Sequence, residues 1–152
     1  MRKLIIAVAL VIGFAGMAGA QSQRSIGVRL GWPGEISYQH PLGEANRLEF
    51  GLGFHHEVAY LSGAYEWMFD LPTEGLKWYL GAGPQIGFLW DGYLNLGGFG
   101  LIGIEYDLEQ HIDFPLLLSL DYRPGIRIDF LSDGALIKPH YSGIALGVRF
   151  KF

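Results

Sequence analysis

Few side chains in this sequence are placed to do chemistry. His140 precedes Ser142 by two residues, and an imidazole beside a hydroxyl can serve as general base for a serine nucleophile. Such a base needs a carboxylate to orient it. Nothing acidic follows Ser142, which leaves Asp129 and Asp133 upstream. A single His and a single Ser specify little, so hydrolysis is the minor reading. His55, His56 and Glu57 are metal-ligand types, yet a continuing strand sends the two imidazoles to opposite faces, and structural zinc usually takes four protein ligands. A polar loop is the better reading, and neither a metal nor any other cofactor is expected. The glycine-rich pieces GLGF from Gly51 and GAGPQIG from Gly81 are not phosphate loops, since no helical pattern follows either.

The elements that would carry these residues begin with a leader. Arg2 and Lys3, the apolar run Leu4 to Ala15 and the small residues Ala18-Gly19-Ala20 make a secretory signal peptide, residues 1–20, with cleavage after Ala20. The run is short of the roughly 20 residues a spanning helix needs. One domain, residues 21–152, remains. Without Arg2 and Lys3, nine basic residues face 15 acidic ones, a balance that argues against a nucleic-acid partner. There is no cysteine, hence no disulfide framework and no thiol chemistry. An exported chain of this size must then be held by a core or by a membrane.

Sorting odd from even positions decides between the two. In SGIALGVRFKF, Ile144, Leu146, Val148, Phe150 and Phe152 share one face, while Gly143, Ala145, Gly147, Arg149 and Lys151 share the other. The same split runs through RSIGVRLGW from Arg24, EISYQH from Glu35, RLEFGLGFH from Arg47, residues 77–90 and LLLSLDYRPGIRIDF from Leu116, and less cleanly through AYLSGAYEWMF from Ala59 and NLGGFGLIGIEY from Asn95, where Phe99 and Leu101 fall on the other face. Those are eight strands joined by turn signals, the longest link being Leu131 to Tyr141. The fold class expected is all-β, an eight-stranded antiparallel up-and-down transmembrane barrel.

Glycines and alanines lie on the same face as the charges, and that pairing orients the wall. A water-facing surface has no reason to prefer Gly, whereas small and long charged residues together fill a narrow lumen, so the apolar face points into lipid. The interior charges are Arg29, Lys77, Arg123, Arg127, Arg149 and Lys151 against Glu49, Glu66, Glu105, Asp121 and Asp129, near enough to balance for mutual pairing. Lys77 and Lys151 lie close to a rim. Outward aromatics form two girdles, with Tyr38, Phe50, Trp67, Phe69, Trp78, Tyr106, Phe150 and Phe152 toward one rim. Trp32, Phe54, Phe88, Trp90 and Phe130 lie toward the other. An interior this narrow leaves no aqueous diffusion pore.

The chain resembles the small OmpA/OmpX-type barrels, and more closely the β-barrel outer-membrane proteins common in Bacteroidetes, through LKWYLGAGPQIGF from Leu76, GLIGIEYDL from Gly100, PLLLSLDYRPGIRI from Pro115 and the terminal LGVRFKF. That resemblance implies a monomer in the outer membrane of a Gram-negative cell, with membrane lipid as its surroundings and a structural, adhesive or unassigned role. It also implies that Val148, Phe150 and Phe152 form the signal read by the barrel-assembly machinery during insertion. His140-Tyr141-Ser142 looks like the His-x-Ser of the outer-membrane lipid A deacylases, which implies the alternative of a lipid esterase. A second alternative is a soluble exported barrel that holds a small ligand.

Overall fold

The computed structural model describes residues 23–152, apart from the side chains of residues 131 and 140–142; the expected leader, residues 1–20, lies outside the described residues. Eight strands follow one another: β1 Ser25–Leu30, β2 Gly34–Pro41, β3 Asn46–His55, β4 Val58–Asp70, β5 Leu76–Leu89, β6 Leu94–Asp107, β7 Leu116–Leu131 and β8 Gly134–Lys151. One helical turn, α1 Glu109–Ile112, interrupts the β6–β7 link. Each strand pairs antiparallel with its neighbours, and β1 pairs with β8, so the sheet closes into a barrel. Ser25 meets Lys151 and Leu30 meets Leu146 across this seam. Below it, Phe152 donates its N–H to the Arg24 carbonyl at 2.9 Å and accepts from the Arg24 N–H at 3.1 Å.

The alternation that makes the strands also sorts their faces. Among the described residues, the buried set holds seven hydrophobic side chains, including Tyr60, Tyr79, Phe99 and Leu101, against sixteen polar or charged ones. Outside, the order is reversed: Leu30, Trp32, Trp90, Ile102, Ile126, Ile137 and Ile144 are all more than half exposed. This is the inverse of the distribution that water imposes on a soluble domain.

A single row of residues fixes the geometry. Val28 pairs with Ile36, Ile36 with Leu52, Leu52 with Leu61, Leu61 with Ile86, Ile86 with Leu96, Leu96 with Ile128 and Ile128 with Ile137. Every member is aliphatic. The row arrives on β8 at Ile137, whereas the partner of Val28 on β8 is Val148, eleven residues further along with one extra residue at the bulge opposite Asp121 and Arg123. About ten residues of rise against eight strand spacings tilts the strands by about 40°.

Strand lengths follow that tilt. They grow from 6 residues in β1 through 8, 10, 13, 14, 14 and 16 to 18 in β8. We call the end of the barrel carrying the turns at Pro33, His56, Gly92 and Ser132 the upper end. The upper strand ends all lie two or three residues beyond the aliphatic row, so they climb with it around the barrel. The lower ends are nearly level. The rim is thus a ramp, low at β1 to β3 and high at β7 and β8, with a step at the seam.

Two links differ from expectation. Residues 131–141 are no loop: Ser132 and Asp133 make a two-residue turn, and β8 pairs with β7 from Leu131 and Gly134 onward. Pro139 hides this strand in the sequence, and the bulge shifts its parity against the segment from Ser142. The link after β6, one of those the sequence marks only by turn signals, contains α1. The β5–β6 turn places Gly92 at φ 86°, where a side chain is strained.

The seam register gives a direct test. Because the chain has no cysteine, Val28→Cys with Val148→Cys forms an interstrand disulfide on mild oxidation, seen as a shifted band on a non-reducing gel, whereas Val28→Cys with Ile137→Cys does not.

Candidate functional site

The most concentrated chemistry lies inside the barrel, where alternation aims charged side chains from every wall at one another. Several meet because they are cross-strand partners: Arg29 opposite Glu35, Gln39 opposite Glu49, and Arg47 opposite Glu66. Others reach across the lumen, as Arg123 on β7 does to Glu35 and Glu49.

Arg123 is the hub of the main cluster. Its Nη1 donates to Glu35 Oε1 at 2.9 Å, its Nη2 pairs with Glu49 Oε1, and its Nε lies 3.4 Å from Asp121 Oδ1. The guanidinium also sits 5.5 Å from the centre of the Phe99 ring. Glu49 spends its second oxygen on Arg149 Nη2 at 2.9 Å and Gln39 Nε2 at 2.7 Å. Arg149 completes its fork on the hydroxyls of Ser37 at 2.7 Å and Ser119 at 2.6 Å. Arg29 donates from Nε to Asp121 Oδ1 at 2.7 Å, and the Tyr79 hydroxyl donates to Asp121 Oδ2 at 3.2 Å.

Arg47 centres a second, lower cluster. Its Nε pairs with Glu66 Oε2, and its Nη1 donates to both oxygens of Glu105 at 2.8 Å. Tyr79 ties the clusters together, with its ring 4.9 Å from the Arg47 guanidinium and its hydroxyl on Asp121. At the lower rim, Lys151 Nζ holds Asp107 Oδ2 at 2.6 Å, Gln23 Oε1 at 3.3 Å and also Glu109 of α1.

Glycines make room for these long side chains. A Cβ on Gly103 would come within 2.6 Å of the Tyr79 hydroxyl and 2.8 Å of the Asp121 Cβ, and one on Gly147 would come within 2.5 Å of Arg149 Nη1. Beside Arg29, Glu35, Tyr60 and Arg123 the remaining space is about 10 Å³, roughly one water. At the lower end a wider cavity of about 630 Å³ is bordered by Gln39, Arg47, Lys77, Glu105, Asp107 and Lys151.

The structure therefore brings together Arg29, Glu49, Asp121, Arg123 and Arg149, and separately Glu66 with Glu105. Arg127 and Asp129 stand apart near the upper rim, 3.1 Å from each other, and Lys138 reaches Asp129 at 3.2 Å. Lys77 pairs at 3.3 Å with Asp70 in an exposed position. Glu35 and Arg47 belong to the buried set but were not among the expected residues. Strand parity could have found them, since Glu35 shares the face of Ser37 and Gln39, and Arg47 that of Glu49.

The residues whose types suggested reactivity or metal binding fall elsewhere. His140 stands opposite Gly125 and Ser142 opposite Arg123 in the β7–β8 ladder; their side chains lie outside the described set. Asp129, one carboxylate that could orient the imidazole, is engaged by Arg127 and Lys138. His55 ends β3 and His56 opens the turn, and both rings pack edge-on against Trp32, with centroids 4.8 and 5.8 Å away. Trp90 Nε1 donates to the His56 carbonyl at 3.3 Å.

Neisserial surface protein A, known from its crystal structure, is similar to this chain. The two share 17% identity over 86% of this chain and 94% of that one, with a TM-score of 0.50. At that identity the likeness concerns the fold. It is a closed eight-stranded antiparallel barrel. No protein-family model matches the chain, and no curated protein matches it.

The network predicts unequal costs. Arg123→Ala removes the cation shared by Glu35, Glu49 and Asp121 from the buried network and costs about 3 to 5 kcal/mol. Lys138→Ala removes a half-exposed partner and costs under about 1 kcal/mol. The temperature at which the folded band on a gel converts to the unfolded one falls clearly for the first variant and stays near wild type for the second.

Proposed function

We propose that this chain is an integral outer-membrane barrel, with its aliphatic and aromatic wall in lipid and a closed, ion-paired interior. The observation that carries the reading is the inverted distribution of side chains. Four arginines, Arg29, Arg47, Arg123 and Arg149, are buried with six carboxylates, Glu35, Glu49, Glu66, Glu105, Asp121 and Asp129, while the outer wall is nearly all apolar. A soluble exported barrel would expose that wall to water, where contiguous apolar patches beyond a few hundred Å² are rare. In lipid the same wall is matched, and a closed barrel leaves its backbone groups paired.

The role is structural, or the display of a surface from the membrane, and no enzymatic step is assigned. The tight packing around Arg123 supports a wall that does not conduct. Val148, Phe150 and Phe152 remain the proposed insertion signal: Phe150 faces outward, and Phe152 is fixed to Arg24 by two backbone hydrogen bonds.

The expected result is a protein that sediments with outer membranes, needs detergent for release, and runs as a heat-modifiable band. Reconstituted in planar bilayers, it gives no steady conductance steps. Release into the soluble fraction without detergent would overturn the proposal.

A further inference from the structure

The ramp of the upper rim has a consequence for the bilayer around the barrel. Along β1 and the two residues after it the outward apolar row runs from Ile26 to Trp32, which at about 3.3 Å per residue and a tilt near 40° rises about 15 Å. On β7 it runs from Leu118 to Phe130 and rises about 30 Å by the same measure. The apolar belt is therefore a wedge. Its tall side matches an outer-membrane hydrocarbon layer of roughly 25 Å, and its low side, β1 to β3, covers little more than half of it.

The seam makes the same demand independently. β8 pairs with β1 only up to Leu146 opposite Leu30, and above that, from residue 145 to Gly134, no described strand pairs with the β1 side of β8. The two-residue turn makes Leu131 and Gly134 a hydrogen-bonded pair, so alternate residues from 135 to 139 turn their backbone groups to the open edge. Pro139 is one of these, and its missing N–H removes one donor there. The remaining N–H and C=O groups cannot face acyl chains, since each would cost several kcal/mol unpaired.

Resting on the membrane reading above, we propose that the barrel thins the leaflet around its upper end on one side: over β1 to β3 and along the open edge of β8, lipid headgroups and water descend to about the level of Trp32. Beside β5 to β7 the leaflet keeps its full thickness. A short apolar wall is met in this way at fractions of a kcal/mol per ångström, far less than leaving backbone groups dry. The partner is the phospholipid or glycolipid leaflet itself, held in a locally compressed form.

Height and water access separate this proposal from a uniform bilayer. Leu30 pairs across the seam with Leu146, and Leu146 pairs with Leu120. Ile126 lies six residues above Leu120 on β7 and, allowing for tilt, stands roughly 10 Å higher than Leu30. Both are exposed on the outer wall, at 57% and 61%. The cysteine-free chain permits Leu30→Cys and Ile126→Cys variants carrying a nitroxide, refolded into dioleoylphosphatidylcholine vesicles, with relaxation by a water-soluble nickel chelate and by oxygen as the readout. Leu52→Cys replaces Leu30→Cys if the latter does not give a heat-modifiable band.

The expected result is an inversion: the lower site, Leu30, is several-fold more open to the chelate than Ile126. A chelate access at Leu30 equal to or below that at Ile126, with both open to oxygen, overturns the thinning and leaves the membrane reading standing. If both sites are as open to the chelate as a label at Ser132 in the turn, the membrane reading fails with it.

Discussion

Eight strands that close with a ten-residue offset enclose a space one side chain deep, and this constraint governs the rest of the molecule. The tilt near 40° follows from it, and so does the composition of the inner wall. Long side chains fit where a neighbouring position carries Gly or Ser, as Arg149 does beside Gly147 of its own strand and Ser37 and Ser119 of others, and Tyr79 beside Gly103. A slightly larger barrel would hold water around these charges. Here the guanidinium groups of Arg29, Arg123 and Arg149 find their partners in protein.

Charge pairing then becomes a condition of closure. Arg123 touches carboxylates from β2, β3 and β7, and Arg149 on β8 reaches Ser37, Glu49 and Ser119 on β2, β3 and β7. Such contacts join strands that are not neighbours in the wall and brace the cylinder across its diameter. Their net worth against an all-apolar filling is small, because desolvation offsets much of the attraction. Their value lies in specificity, since a one-residue slip of any strand would turn its charge from the lumen to the outer face.

The wall was legible in the sequence because period-two alternation depends only on neighbours. The inner charges were legible for the same reason wherever a strand was long, as with Asp121, Arg123 and Arg149. Glu35 and Arg47 escaped because they sit at strand ends, where parity has little flanking pattern to support it. The upper half of β8 escaped because Pro139 reads as a breaker and the bulge opposite Asp121 and Arg123 reverses the phase between residues 134–142 and the terminal segment. Which carboxylate each arginine takes was not legible at all. Partners such as Arg123 and Glu35 are 88 residues apart and meet only through the curvature of the closed sheet.

The pairing of Ser25 with Lys151 also sets how the chain acquires its shape. Seven of the eight ladders join consecutive strands through short links, and each can zip from its own turn. The eighth joins the two ends of the domain, so the entropy of bringing distant segments together falls almost wholly on one contact. The seam thus joins the lowest strand of the wall to the highest across the ladder of greatest sequence separation, and cooperativity enters the folding of the barrel through it.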